Sequence, residues 1–348
     1  MAIPASVQAI GRAGAGTNNI PIADMSKRGI VVFNTPGANA NAVKELVLTG
    51  MLMAARNISP AMQFVAGLKG DDATLSTLVE DGKKHFAGIE LPGRTIGIVG
   101  LGAIGGMVAD TALKLGMKVL GFDPDITVDA AWRLSSEVKR VHSVDELFKH
   151  SDFITLHVPL IEATKQMVNK ARVDMMKQGA VLINFAREGV IDEQAVIDGL
   201  DSKKMRAYMC DFPTARMKAH PGVVALPHLG ASTQEAEDNC AMMVVDQVRE
   251  FLENGNISNS VNFPAVNMPR EAPHRVAVAS ANIPNMVGQI STAMAQAGIN
   301  IHNMVNKSRG DIAYTMLDLD SPAAESSLAK IRAIEGVMTV RLLPQRQD

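Results

Sequence analysis

Between residues 95 and 228 the chain alternates apolar runs of strand length with segments of helical character. This alternation restricts the fold more than any single motif does. The runs are TIGIVG (95–100), KVLGFD (118–123), DFITLHV (152–158), AVLINF (180–185), RAYMCD (206–211) and VVALPH (223–228). Strands without a polar face must be buried on both sides, as in a parallel sheet covered by helices. A helical stretch from Ala103 to Leu115 and the short helix SVDELFKH, opened by a Ser143/Glu146 capping box, supply crossovers. With right-handed connections this predicts an α/β domain with a doubly wound, Rossmann-type sheet.

The flanks are organised differently. Ser232 and Glu235 predict a second capping box, followed by a long helix that stops at Gly255. The stretch 256–273 contains three prolines and no periodicity, which predicts an interdomain linker. Beyond it, RVAVAS, NIHNMVN, IAYTMLDLD and VMTVRLL, with helices near 286–297 and 323–334, predict a small βαββαβ domain. Residues 1–86 hold two apolar runs, VQAIG (7–11) and GIVVFN (29–34), and a helix from about Asn41. Two strands make a marginal sheet by themselves. The chain opens almost directly on a strand, as if earlier strands were missing.

Composition excludes several classes. Lys+Arg 34 against Asp+Glu 36 leave a net charge of -2, without the basic excess of a nucleic-acid binder. Aromatics at 4% argue against a base-stacking platform. Cys210 and Cys240 are too few for a disulfide framework and fit a reducing compartment. No apolar run reaches the roughly 18 residues of a membrane span, and Pro4, Gln8, Gly11 and Arg12 interrupt any signal-peptide core. A cytoplasmic protein that uses no metal is expected.

Gly100-Leu101-Gly102-Ala103-Ile104-Gly105 is a GxGxxG motif at the junction of a strand and a helix. The first glycine permits a tight turn, the second lets backbone approach a pyrophosphate, and the third packs helix on strand. The helix N-terminus favours the phosphates. Asp123 follows Gly105 by 18 residues, at the end of the next strand, where a carboxylate accepts from ribose hydroxyls. No Arg or Lys follows it directly, so NAD is expected over NADP.

Ligands of open α/β sheets bind outside the carboxyl ends of the strands. Arg187, Asp211 and His228 sit at such ends, and His157 lies inside its run. Oxidation of a 2-hydroxy acid needs a cation to orient the carboxylate and a base of near-neutral pKa to take the hydroxyl proton. Arg187 and His228 suit these roles. A surface arginine and a structural histidine are the alternatives.

Taken together, RAGAGTNNI (12–20), VVFNTPGANANAVKEL (31–46), LPGRTIGIVGLGAIG (91–105), LHVPL (156–160), LINFARE (182–188) and PHLGASTQEAEDN (227–239) resemble the D-isomer-specific 2-hydroxyacid dehydrogenase family. NIPNMVGQI (282–290) and AGINI (297–301) resemble the ACT domain of its phosphoglycerate-oxidising branch. The resemblance implies NAD-dependent oxidation of D-3-phosphoglycerate to 3-phosphohydroxypyruvate, the entry to serine synthesis. It implies Arg187 as substrate-binding and His228 as acid/base, with Arg12 and Asn39 contacting substrate. Gly100, Gly102, Ala103, Ile104, Gly105, Asp123, His157, Val158, Pro159, Thr164, Ala186, Asp211 and Gly230 would hold the dinucleotide, Asp211 at the nicotinamide amide. Asn282 and Asn300 would hold an L-serine effector. The implied architecture is a partial flavodoxin-like substrate lobe (1–86 and 232–262), an NAD-binding domain (87–231) and an ACT domain (274–348). The implied assembly is a homodimer or homotetramer, for which the one tryptophan, Trp132, is a candidate anchor.

Three departures accompany the resemblance. The family's Glu between the catalytic Arg and His is missing, and Arg216 stands near its place. The first strands of the substrate lobe, with a phosphate-binding Arg, are also missing, so exposed apolar strand edges are expected. In the ACT pattern Ser280 stands where a His often helps and Asn285 replaces a usual Gly. These keep two alternatives open: a glyoxylate or hydroxypyruvate reductase, and a non-catalytic subunit that binds NAD and an amino acid.

Overall fold

A computed structural model describes residues 3–345; residues 1–2 and 346–348, at the ends of the expected outer domains, lie outside them. The chain forms two compact units, one of Asn39–Ala236 and one of the residues up to Ala38 with those from Glu237 on. These boundaries differ from the three-part division expected of the sequence, and core packing explains why. The helix Ala40–Ala55 buries Val47, Met51, Ala54 and Ala55 against the strand residues Ile96, Ile98 and Ile183. The first strands instead share a core with the C-terminal sheet.

In that latter unit β1 (Ala9–Gly11) pairs in parallel with β2 (Val31–Phe33). The expected exposure of apolar edges is not met at β2, whose three residues are 0% exposed. Residues 259–262 take its second edge: Val261 N–H donates to Val32 O at 2.9 Å, and Phe33 forms an antiparallel bridge with Ser260. The Asn262 side chain imitates a strand, accepting from Val32 N–H at 2.9 Å and donating to Ile30 O at 2.9 Å.

The other unit is built on a sheet of seven parallel strands: β3 (Thr95–Val99), β4 (Lys118–Phe122), β5 (Lys139–Arg140), β6 (Phe153–Leu156), β7 (Ala180–Asn184), β8 (Met205–Cys210) and β9 (Val223–Ala225). Their order is β5-β4-β3-β6-β7-β8-β9, so the winding reverses between β3 and β6. Alternate residues enter two cores: Ala180 and Leu182 point into one, Val181 and Ile183 into the other. Burial on both faces is why the strands read as continuous apolar runs. Ser143 caps the helix Val144–His150 through the Glu146 N–H, as expected, whereas Glu146 reaches back to His142 N–H.

The chain ends in β10 (His274–Ala281), β11 (Ile301–Arg309), β12 (Ile312–Leu319) and β13 (Val337–Leu342), an antiparallel sheet of order β11-β12-β10-β13. The helices Met286–Gln296 and Glu325–Arg332 cover the face of Val276, Val278, Leu317 and Leu319. Phe33, Phe251, Phe263 and Met268 cover the other face, at Ala277, Ala279, Tyr314 and Met316. Residues 256–273, expected as an interdomain linker, form a packed segment: Ile257 bridges Val266, and both are buried. The long helix Gln234–Asn254 ends before Gly255, at φ +77°, as expected. Its start differs, because Thr233 Oγ1 accepts from Ala236 N–H at 3.1 Å while Ser232 turns to His228 O. Among the described residues no helix is long and apolar enough to cross a membrane.

Candidate functional site

The glycine turn joins β3 to the helix Ala103–Lys114. Two of its glycines are demanded by the fold. Gly100 has φ +90°, and a Cβ there would stand 2.3 Å from the His157 carbonyl oxygen. A Cβ on Gly105 would stand 1.9 Å from the carbonyl oxygen of Gly100. Gly102 is different: it is exposed, and a Cβ added to it would meet nothing within 4 Å. The protein therefore leaves open space where the backbone N–H groups of the first helical turn point outward without intrahelical partners. Exposed Ala103 and half-buried Ile104 complete that turn. The arrangement fits the pyrophosphate of NAD.

Asp123 closes β4 and is fastened to this turn. Its Oδ2 accepts from Leu101 N–H at 2.8 Å and its Oδ1 from Asp125 N–H at 3.0 Å. Each oxygen retains a lone pair for a ribose hydroxyl. Opposite, His157 N–H donates to Val99 O at 2.7 Å, and the His157 ring meets Thr155 Oγ1 at 3.0 Å. Burial pushes the imidazole down to about 4, so it is neutral at physiological pH. Val158 stands beside Gly100. Thr164 departs from expectation: its hydroxyl donates to Pro159 O at 2.5 Å and accepts from Ile161 N–H at 2.9 Å. It braces the 159–164 loop, with its one proton used there.

Three polar groups converge at the ends of β7, β8 and β9. Asp211 follows β8 and is 2% exposed, with neither carboxylate oxygen hydrogen-bonded among the described residues. Burial pushes its pKa up; the charge of His228 first, then the nearby Gly230 and Asp211 backbone N–H groups and, least, Arg187 pull it back down. One buried carboxylate is thus within electrostatic reach of both Arg187 and His228. A Cβ on Gly230 would lie 3.6 Å from Asp211 Oδ2. The His228 ring packs on Phe212 with centroids 4.4 Å apart. It has no carboxylate within ion-pair range among the described residues.

Arg187 is exposed, and its Nη1 donates to Ala186 O at 2.6 Å. It lines a cavity of about 700 Å³ with Glu188, Gln194, Tyr208, Phe212 and Arg216. Arg216 donates to Gln194 Oε1 at 2.5 Å, so the cation near the place of the missing Glu is held at the helix Glu193–Asp201. Two residues of the site, Asn184 and Phe212, do not stand out in the sequence pattern. Asn184 ends an apolar strand and Phe212 follows Asp211; a polar residue closing a buried run is the one signal available there.

Arg12 belongs to the other unit, where its Nη1 donates to Asn19 Oδ1 at 2.7 Å. Asn39 precedes the helix Ala40–Ala55 and accepts from Val43 N–H through its carbonyl. Asn282 donates to Gly310 O at 3.0 Å and lines a cavity of about 140 Å³ with Asn285 and Asn306. Asn300 does not line it; its amide donates to Asp320 Oδ2 at 2.5 Å. Cys210 is buried, which pushes its thiol up to about 11, so it is no nucleophile at neutral pH.

Residues 48–230 match the family model "D-isomer specific 2-hydroxyacid dehydrogenase, NAD binding domain". A D-3-phosphoglycerate dehydrogenase of Methanocaldococcus jannaschii is 39% identical over 76% of this chain and 49% of its own, so the chain spans about half the length of that relative. A D-3-phosphoglycerate dehydrogenase of Haemophilus influenzae is 32% identical over 96% of this chain and 81% of its own. An NAD+-bound 3-phosphoglycerate dehydrogenase structure from Entamoeba histolytica superposes with TM-score 0.59 and 29% identity, covering 74% of this chain and 76% of that one.

Proposed function

The chain belongs to the D-isomer specific 2-hydroxyacid dehydrogenases, with an NAD-binding domain, and we propose that it oxidises D-3-phosphoglycerate to 3-phosphohydroxypyruvate. The observation that supports this most is that Arg187, Asp211 and His228 follow the adjacent strands β7, β8 and β9, with Phe212 both lining the Arg187 cavity and packing on the His228 ring. The Arg187 guanidinium leaves the Ala186 carbonyl to grip the substrate carboxylate with two parallel hydrogen bonds. The His228 imidazole, steadied by the Phe212 ring, takes the C2 hydroxyl proton and returns it in the reverse direction. NAD, when bound, supplies the acceptor for the C2 hydride. Asp211 keeps its unpaired oxygens for the carboxamide, and Asp123 for the ribose.

The same proposal gives residues 274–345 the part of an ACT regulatory domain that takes an amino acid such as L-serine beside Asn282. It also assigns residues 1–86 with 232–262 to the substrate lobe and 87–231 to NAD. Trp132, 84% exposed, is the proposed anchor of a homo-oligomer.

The test is NADH oxidation by the chain with phosphohydroxypyruvate, hydroxypyruvate and glyoxylate, repeated with Arg187→Ala and His228→Ala. A preference for the phosphorylated acid, and losses of at least 100-fold in kcat/KM in both variants, are expected. Preference for the unphosphorylated acids would make it a reductase. NADH binding without turnover of any acid would make it a non-catalytic subunit.

A further inference from the structure

We propose that Asn184 is a positioning residue for the reaction, setting the turn that presents Arg187 to the substrate, with Tyr208 as its buried support. This goes beyond the assignment of Arg187 and rests on it for its kinetic consequence. Asn184 is the last residue of β7 and is 1% exposed. Its Oδ1 accepts from Ala186 N–H at 3.2 Å, while its Nδ2 donates to Arg187 O at 2.9 Å. One planar amide thus closes both ends of the turn, satisfying a buried donor and the carbonyl of the cationic residue itself. The second Nδ2 proton goes to the Tyr208 hydroxyl at 3.3 Å, which comes from the neighbouring strand β8 and is itself 2% exposed.

The chemistry of the amide is specific. Only Asn and Gln offer an acceptor and two donors in one group, and Gln is a methylene too long for a site buried this tightly. An Asp could accept from Ala186 N–H, but it would set oxygen against the Arg187 carbonyl and bury a charge. A turn lacking this clasp leaves the buried Ala186 N–H to seek another partner and the Arg187 carbonyl with Val190 N–H alone, at 3.4 Å. The consequence falls on Arg187: its backbone is extended at φ −151°, ψ 145°, and its guanidinium is free to swing only from a fixed Cα. Misplacing the group that grips the carboxylate by a fraction of an ångström weakens substrate capture, while the glycine turn after β3 and Asp123 after β4 stay untouched.

The experiment is a double-mutant cycle of Asn184→Ala and Arg187→Ala, joined by amide hydrogen exchange over residues 184–190. Asn184→Ala is expected to raise KM for phosphohydroxypyruvate at least 10-fold, a larger factor than its loss in NADH affinity. In the Arg187→Ala background it should change kcat/KM less than twofold. Exchange across 185–188 should accelerate at least 10-fold. Tyr208→Phe, which conserves volume and guards against a variant that fails to fold, should show the same pattern more weakly. Equal losses in both backgrounds, or unchanged exchange across 185–188, would overturn the assignment. Because exchange needs no turnover, absence of activity in the wild type would defeat the dehydrogenase proposal and leave this one decided by exchange.

Discussion

Asp123 Oδ2 accepts the Leu101 backbone N–H at 2.8 Å, so the acid proposed to hold the ribose also ties the second strand of the sheet to the glycine turn. Replacing it removes a charge-assisted hydrogen bond to the protein and those to the ligand together. Asp123→Asn should weaken NADH about 10- to 100-fold, the range of one or two hydrogen bonds to a charged group. NADPH, no longer repelled at its 2′-phosphate, should lose less or gain. Fluorescence titration with both nucleotides checks this; equal losses for the two would remove Asp123 from nucleotide selection.

Two glycines of the turn, Gly105 and Gly102, should separate fold from ligand. Gly105→Ala forces a methyl to within 1.9 Å of the Gly100 carbonyl oxygen, so backbone must move and the melting temperature should fall by several degrees or more. Gly102→Ala puts a methyl into open space. It should melt like wild type yet lose at least 10-fold in NADH affinity. Calorimetric melting and nucleotide titration of the two variants give the contrast; a strongly destabilised Gly102→Ala would show that this glycine serves the fold.

Much of the fold is legible in the amino-acid sequence. Six of the seven parallel strands follow from apolar runs, and the glycine turn from its place between Val99 and Ala103; β5, the exposed pair Lys139–Arg140, leaves no such run. The segment 256–273 is not legible, because Ile257, Phe263, Val266 and Met268 are spaced irregularly and meet a core only in three dimensions. Nor is the cover of β2, since an asparagine side chain standing in for a strand leaves no periodic trace. Asn184 hides for a related reason: a single polar residue closing an apolar run looks like a strand end until its amide is seen to bridge two backbone groups.

Arg275 is wholly buried and bidentate to Asp318, Nε–Oδ1 at 2.6 Å and Nη2–Oδ2 at 2.9 Å. Its remaining donors reach Asn254 O, Met268 O and Pro269 O, tying helix end and packed segment to the sheet. Removing one partner leaves an uncompensated buried charge. Arg275→Ala should therefore destabilise by about 3–5 kcal/mol. Arg275→Met with Asp318→Leu should recover part of that loss, less than all because three carbonyls stay without donors. Urea unfolding measures both; a milder single than double variant would refute the clamp.

Asp211 combines burial with two unpaired oxygens, the signature of a group kept for function at a cost in stability. Burial raises its native pKa, so as pH climbs the unfolded chain gives up this proton first and the native state is progressively penalised. Asp211→Asn should melt higher than wild type at pH 7 and lose that advantage near pH 4. Its kcat/KM should fall at least 10-fold. A lower melting temperature at pH 7 would mean that the carboxylate is already stabilised in the native state.

His157 gives the opposite slope. Its native pKa is depressed by burial to about 4, against 6.5 unfolded. Between those values the unfolded chain binds a proton that the native imidazole refuses, so stability rises with pH across that window. The full contribution stands above about pH 6.5, and at most about 3 kcal/mol disappears on descending to about pH 4. His157→Asn, which keeps a polar partner for Thr155 Oγ1, should flatten this part of the pH profile. Urea midpoints taken every half unit from pH 4 to 7.5 make the comparison. Since other carboxylates and histidines titrate equally in both proteins, the difference between the two curves isolates His157. A difference curve that is level across the window would show that the ring is protonated as readily in the folded chain as in the unfolded one.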